Sequence, residues 1–282
     1  MIEIRIFEGG DLDFALAQKL REGWAVSREQ FEIYLEHDPD GCFVATTGGQ
    51  PIGMVTTTCF GPSGWIGNLI VEPGHRSRGI GCALMEYGLE RLRKKGSMTV
   101  RLEGDAPGIP LYRKLGFVDE YESCRFVLAG SSAIAPVADS EVETMSPGDL
   151  DEVAKLDAAI VGADRGRFLE LKMHRAEVAF VRRRHGKIVA SLLASPTDRG
   201  FRIGPCVAQS SADAEPLIAA SVSVAADRPV LIGVPALNTD SLEILDKIGF
   251  EKRPSSSRMR FGPPVAEGDP TRLFAISSGA VG

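Results

Sequence analysis

A repeat constrains this chain more than any other feature. Gly10-Asp11-Leu12-Asp13 returns as Gly148-Asp149-Leu150-Asp151, 138 residues further on. Each copy opens a helical pattern, with Leu12, Leu16 and Leu20 in one and Leu150, Val153, Ala154 and Leu156 in the other. In the second copy Asp149 is placed to cap the helix, with Glu152 three residues on reaching back to the cap amide. A second pair, Lys114-Leu115-Gly116-Phe117 and Lys247-Ile248-Gly249-Phe250, recurs in the same order 133 residues apart. Two matches in one order predict a tandem duplication with units of about 130–140 residues, an ordinary domain size. The stretch 129–136 is small, polar and punctuated by Gly130 and Pro136, as linkers are. The expected organisation is therefore a unit over 1–130, a linker over 131–140 and a second unit over 141–282.

Within the first unit, Ile2–Phe7 alternates as a strand, and 12–21 and 28–37 read as helices. Segments 42–46 and 52–59 bracket a Gly-Gly turn as a hairpin, and 65–71 is an apolar strand. A helix over 80–94 carries the stripe Leu84, Met85, Leu89 and Leu92; strand 98–103, short helix 110–115 and strand 124–128 follow. The fold class is α/β (α+β): two tandem units, each with a mixed, largely antiparallel sheet flanked by helices.

Composition narrows the function. Of 282 residues, 44% are hydrophobic and 25% charged, so neither disorder nor fibre fits. A net charge of −6 disfavours nucleic acid as a partner of the whole surface. Five scattered cysteines without a C-x-x-C pair suit reduced, packed thiols, and the four histidines have no metal-ligand spacing, so no metal is expected. Glu3 and Arg5 stand where a signal peptide would be apolar, and no apolar run is long enough to span a bilayer. The expectation is a cytoplasmic monomer or homodimer without a membrane partner.

The chemistry concentrates where the strand ending at Val71 runs into Glu72-Pro73-Gly74-His75-Arg76-Ser77-Arg78-Gly79-Ile80-Gly81-Cys82 and then a helix. A helix start leaves about four amides without partners and carries partial positive charge, which suits phosphate. Gly79 and Gly81 clear the approach, and Arg76 and Arg78 add charge. The Walker pattern fails because Gly79 is followed by Ile80; a dinucleotide fingerprint lacks its third glycine at Leu84. On its own the loop is equally a glycine-rich surface turn. The pattern Arg76-x-x-Gly79-x-Gly81 after a V-x-P strand end, followed by Leu111-Tyr112-Arg113-Lys114-Leu115-Gly116-Phe117, resembles the GNAT N-acetyltransferase superfamily over roughly residues 40–128.

That resemblance implies acetyl-CoA as donor. Its pyrophosphate would lie on the amides of Arg76, Ser77, Arg78, Gly79, Ile80, Gly81 and Cys82, and its pantetheine arm along Leu69, Ile70 and Val71 as an added strand. A backbone N–H of this strand would receive the oxyanion. Tyr112, at the family's tyrosine position, would give a proton to the departing sulfur, worth at most about 10²–10³-fold. Glu103, or Asp105 beside it, would take the amine proton directly or through water, unless both are ordinary strand-end carboxylates. Glu72 and His75 are expected to be bland. Between Asp11 and Asp40 carboxylates outnumber cations, which would either favour a cationic amine or form a solvated helix face, and Trp24 is a candidate for the same opening.

The second unit lacks these parts. Aligned on Gly-Phe, Leu245 stands opposite Tyr112, and the turn 209–216 has neither the glycine pair nor an arginine, while Asp213 and Glu215 would repel pyrophosphate. Arg182-Arg183-Arg184-His185-Gly186 reads as a strand entering a surface hairpin, and Leu273–Ile276 as a final strand. Gly162-Ala163-Asp164-Arg165 is a further candidate for the cleft. By resemblance, the chain is a tandem GNAT protein with a degenerate second unit, acetylating an amine of a small molecule or peptide by direct attack. The alternatives are a non-catalytic acyl-CoA sensor or partner module, and transfer to a hydroxyl.

Overall fold

A computed structural model describes residues 2–130, 141–265 and 267–282; the expected linker lies outside them. The first unit runs β1 (Ile2–Ile6), α1 (Asp11–Arg21), α2 (Arg28–His37), β2 (Cys42–Thr47), β3 (Gln50–Phe60), β4 (Ser63–Val71), α3 (Ile80–Lys94), β5 (Thr99–Gly104), α4 (Ile109–Lys114) and β6 (Val118–Leu128). The second repeats the plan: β7 (Val142–Thr144), α5 (Leu150–Val161), α6 (Gly166–Arg175), β8 (Val178–Arg184), β9 (Lys187–Thr197), β10 (Gly200–Ala208), α7 (Ser211–Ala225), β11 (Val230–Pro235), α8 (Thr239–Ile248), β12 (Glu251–Phe261) and β13 (Leu273–Ala275). Both units are largely antiparallel sheets flanked by helices. Strand Leu273–Ala275 and the hairpin after Arg184 form where the sequence puts them.

The two sheets are one. Strand order is β1-β2-β3-β4-β5-β12-β6-β11-β10-β9-β8-β7, with β13 against β10. β12 of the second unit pairs antiparallel with β5, and β6 of the first pairs with β11. Each unit has thus handed its last long strand to the other. The first half of β6 is polar and reads as loop, yet it is strand. Its acids are matched across the ladder: Glu120 pairs with Arg101, Arg258 and Arg260, and Glu122 with Lys252 at 2.9 Å.

The helix start at the second Gly-Asp-Leu-Asp differs from expectation. Pro147 opens a single 3-10 turn, Pro147–Asp149, so the reciprocal cap slides three residues earlier: Ser146 donates to Asp149 from its N–H (2.8 Å) and its hydroxyl (2.9 Å). Glu152 instead accepts from the Ile188 N–H at 2.8 Å, tying α5 to the sheet.

Both units share one device. β4 and β5 run parallel for only three pairs, Ser63↔Thr99 to Trp65↔Arg101, and β10 and β11 for Phe201↔Val230 to Ile203↔Ile232. Beyond those pairs the strands diverge and leave a wedge. β4 also bulges between Gly67 and Ile70, with Asn68 at φ +49°. The bulge resets the alternation, so Leu69 and Val71 pack on the α3 side while Ile70 joins Phe31 and Tyr34 of α2.

Candidate active site

The wedge of the first unit is open where a ligand backbone would add. No pairing joins residues 66–71 to β5, and at its end the chain turns through Glu72–Gly79 into α3. Ser77 (φ +60°) and Gly79 (φ +80°) both take the left-handed conformation. This turns the amides of Ser77, Arg78, Gly79, Ile80, Gly81 and Cys82 outward: among the described residues none of the six donates to a carbonyl or side chain. The first inward bond is from Ala83 to the Gly79 carbonyl, 3.0 Å. Six consecutive free donors at a helix start form a cradle for an anion. Arg76 lies just before it; its own amide reaches the Pro73 carbonyl at 3.4 Å.

The two arginines are not equivalent, contrary to expectation. Arg76 spends its side chain on the fold, donating from Nε to the Val71 carbonyl (2.8 Å) and pairing with Glu22 of α1. Arg78 is exposed and unpaired among the described residues. Glu72 accepts from Gln18 at 3.1 Å and pins α1 to the loop. Cys82 donates to Glu86, and desolvation first, then that bond, raises its thiol pKa, the opposite of thiolate activation.

Tyr112 sits on the α3 side of β5. Its ring lies on Gly104 and Gly108; a Cβ at Gly108 would come within 2.7 Å of the ring, so only glycine fits there. The hydroxyl has no hydrogen-bond partner among the described residues, and burial pushes its pKa up to about 12.

Glu103 is on the opposite face and is not the open strand-end carboxylate expected. Its side chain is 1% exposed. The Ser256 hydroxyl donates to it at 2.9 Å and Arg258 pairs with it at 3.4 Å, both from β12. Burial raises its pKa, opposed by the Arg258 charge. Segment 278–282 covers it: Gly279 stands over Glu103, Ala280 packs on Gly67, and Gly282 lies against the Trp65 indole. The Trp65 Nε1–H donates to the Gly279 carbonyl at 3.4 Å, and the Arg258 guanidinium stacks 4.1 Å from the indole centroid. Asp105 pairs with Arg125 at 2.7 Å. Neither carboxylate is left free as a base. Trp65, Arg258 and this segment escaped the sequence reading because they come from three distant stretches with no motif among them.

The acidic span of α1 and α2 is likewise spent on pairing: Asp11 with Arg5, Asp13 with Arg28, Asp38 with Arg91, and Glu36 with Arg167 and Arg175. Trp24 packs among the apolar residues around Phe31. Arg165 does reach the cleft region: buried, it holds Asp157 at 2.7 Å and donates to the Gly282 carbonyl at 2.7 Å.

Family profiles match both halves, one described as acetyltransferase (GNAT) family over residues 13–117, the other as acetyltransferase (GNAT) domain over 153–275. The chain belongs to the GNAT acetyltransferases. Members of this family use acetyl-CoA and act on amine acceptors. A curated relative, holothin acyltransferase of a Pseudoalteromonas species, is 25% identical over 269 residues, covering 94% of this chain and 88% of the relative. A putative acetyltransferase from Pyrococcus horikoshii shares the fold with a TM-score of 0.87 and 29% identity, over 100% of this chain and 96% of that one. A tandem GNAT protein from the clavulanic acid biosynthesis pathway superposes with a TM-score of 0.68 at 17% identity, covering 94% of this chain and all of that one.

The second GNAT unit closes the slot that the first keeps open. β13 pairs with β10 at Cys206 and Val207, and the Ile276 N–H donates to the Gly233 carbonyl of β11 at 2.8 Å, so this segment fills the β10–β11 wedge. At the start of α7 the buried Asp213 accepts from Ser210 at 2.6 Å and pairs with Arg184 and Arg182. An internal carboxylate stands where an external anion would bind. Among the described residues no helix is long and apolar enough to cross a membrane, and no cluster of His, Cys, Asp or Glu is arranged for a metal.

Proposed function

We propose that the chain is an acetyl-CoA-dependent N-acetyltransferase acting on a small-molecule or peptide amine, with catalysis in a unit over 1–130 and a degenerate unit over 141–282. The observation that carries this reading is the asymmetry of the wedges: six free amides and an unpaired strand edge in one, an occupied slot in the other.

The coenzyme supplies the acetyl group as an activated thioester. Amides 77–82 hold its diphosphate, Arg78 adds charge at the rim, and the free edge of Leu69, Ile70 and Val71 pairs with its amide-bearing arm. At the bulge the same strand offers a backbone N–H to the oxyanion. Tyr112 keeps its proton through neutral pH and presents it to the departing sulfur. With a pKa near 12 against about 8.5 for a thiol, it acts as a hydrogen-bond donor to developing charge more than as a full proton source. Glu103 and Arg258 fix the floor beside Trp65, and the amine proton leaves through water.

A thiol-release assay over an amine panel tests this. Acetyl-CoA-dependent turnover on at least one amine is expected. Tight acetyl-CoA binding with no turnover on any amine would favour the sensor instead.

A further inference from the structure

Three deeply set cations take no part in the chemistry above. Arg202 of β10 lies within the field of both Lys19 of α1 and Lys172 of α6, where Gln30 and Val26 of the first unit meet Lys172 and Asp198 of the second. Lys19 is 8% exposed and Lys172 2%. Among the described residues none of the three has a carboxylate within ion-pair distance. Lys172 donates to the neutral amide oxygen of Gln30 at 3.3 Å. The Lys19 ammonium makes no hydrogen bond among the described residues and lies 5.4 Å from the centre of the Phe31 ring. The Arg202 guanidinium makes none either among the described residues, and the residue keeps part of its surface accessible.

The surrounding charges do not balance them. Asp198, held at the Val26 N–H at 2.6 Å, favours charge on Lys19 only from beyond ion-pair distance, and its effect is smaller than that of burial or of Arg202. Arg165 repels Lys172 and is committed to Asp157; Arg125 repels Arg202 and is committed to Asp105. Tyr34, with its pKa pushed by burial to about 12, is neutral. Burial first, then the field of Arg202, lowers Lys19 to about 8 and Lys172 to about 7. Buried charge without a partner is costly, so an uncompensated cluster of one sign marks a place for its counter-charge.

The cluster adjoins the proposed transfer site. Tyr34 is within the field of Arg202, and its hydroxyl lies 3.2 Å from that of Ser278, in the segment that covers Trp65 and Gly67 of β4. Phe31 and Tyr34 share a core with Ile70. We propose that Lys19, Lys172 and Arg202 bind an oxyanion carried by the acceptor, so that the substrate is an amine bearing a carboxylate or a phosphate. This rests on the acetyltransferase reading for the word acceptor; the oxyanion site does not.

The test uses the full chain and two arms. In the first, glutarate, inorganic phosphate and the neutral glutaramide are titrated by calorimetry into wild type, Arg202→Gln and Lys19→Met. Either anion should bind, glutaramide should not, and each variant should weaken binding about 10-fold or more. Glutarate against phosphate shows which oxyanion fits. Binding near pH 8 should take up protons as Lys172 and Lys19 recharge, and Lys172→Met should cut that uptake to the share of Lys19. Failure of both anions to bind wild type at about 10 mM, or equal binding to Arg202→Gln, overturns the site. So does a matching loss of acetyl-CoA affinity in Arg202→Gln, which would put the coenzyme's phosphates there. In the second arm, thiol release is compared for Ala-Ala, its C-terminal amide and phosphoethanolamine. Acetylation without preference for the acids refutes an acceptor oxyanion and leaves the transferase reading intact; anion binding without any acetylation refutes the transferase reading and leaves the site.

Discussion

Replacing Lys172 by Met should make the protein more stable, and the gain should depend on pH in a defined direction. Lys172 is enclosed, has the neutral Gln30 as the one side-chain hydrogen-bond partner of its ammonium among the described residues, and faces the charges of Arg202 and Arg165. Its pKa falls from 10.5 to about 7. At about 1.4 kcal/mol per tenfold change in proton affinity, holding the charge in the folded state costs up to about 5 kcal/mol. Loss of the Gln30 bond returns about 1 kcal/mol, and relaxation around the cation takes a further share. A gain of about 2–4 kcal/mol is expected near pH 7, or a rise in Tm of at least roughly 5 °C.

The sign follows from proton counting. The unfolded chain keeps this proton up to about pH 10.5, whereas the folded one releases it above about 7. Between those values the unfolded state binds more protons, so raising the pH stabilises wild type. Below about 7 both states are protonated and the full cost is present. The advantage of Lys172→Met should therefore be largest at pH 6–7 and shrink towards pH 10. Lys19, lowered to about 8, behaves alike over a narrower window, and the two replacements should be non-additive because both feel Arg202. Denaturant melts of wild type and variant from pH 6 to 10 measure this. A variant less stable than wild type at pH 7, or a gap that does not change with pH, would refute the reasoning.

Tyr112→Phe should lower kcat by about 10–100-fold with the KM for acetyl-CoA within about twofold; a collapse in acetyl-CoA affinity would make the residue a packing element. Gly81→Val puts a branched side chain between the start of α3 and the end of β4, where a Cβ meets Leu111 at 3.6 Å and Val71 at 3.8 Å without a clash, and calorimetry should show acetyl-CoA binding at least about 10-fold weaker with Tm little changed. Arg258→Met leaves the buried Glu103 without its cation and should cost about 3 kcal/mol or more in denaturant melts, with Glu103→Gln in the same background recovering part of the loss. With Asp105 and Glu103 both paired, kcat at saturating acceptor should climb with pH towards the bound amine's own pKa without a plateau below pH 7; such a plateau would reveal a protein base.

The parts of this molecule that were legible in its sequence are local ones. Helix 80–94 carries its own apolar stripe, and its start is marked by Gly79, which alone accepts φ +80° there without strain. Two repeated tetrapeptides were enough to predict the duplication. What was hidden depends on distant residues. Val118–Ser123 is too polar to read as strand until Arg258, Arg260 and Lys252 stand across from its acids. Glu103 has the sequence context of a surface carboxylate and is enclosed by β12 and segment 278–282, more than 150 residues away in the chain. The cationic cluster draws one residue from each of three elements, while acids counted along α1 and α2 are matched by arginines of both units.

The exchanged strands explain why a unit with a filled wedge stays joined to one whose wedge is open. β12 supplies the hydrogen-bonding partner of β5, and its Met259 enters the core beneath Tyr112 while its Ser256 and Arg258 hold Glu103 on the other face. β6 leaves its own unit to pair with β11. Without the second half, β5 and β6 would each expose a long unpaired edge, and the floor of the proposed transfer site would lose Arg258, Ser256 and the segment over Trp65. The duplicated copy has traded its own wedge, filled by β13, for a structural share in its neighbour's. Lys172 and Arg202 sit on the same borrowed side, so in the proposed reading the second half completes the sheet and shares acceptor selection with Lys19 of the first, which would also grip the coenzyme's anion.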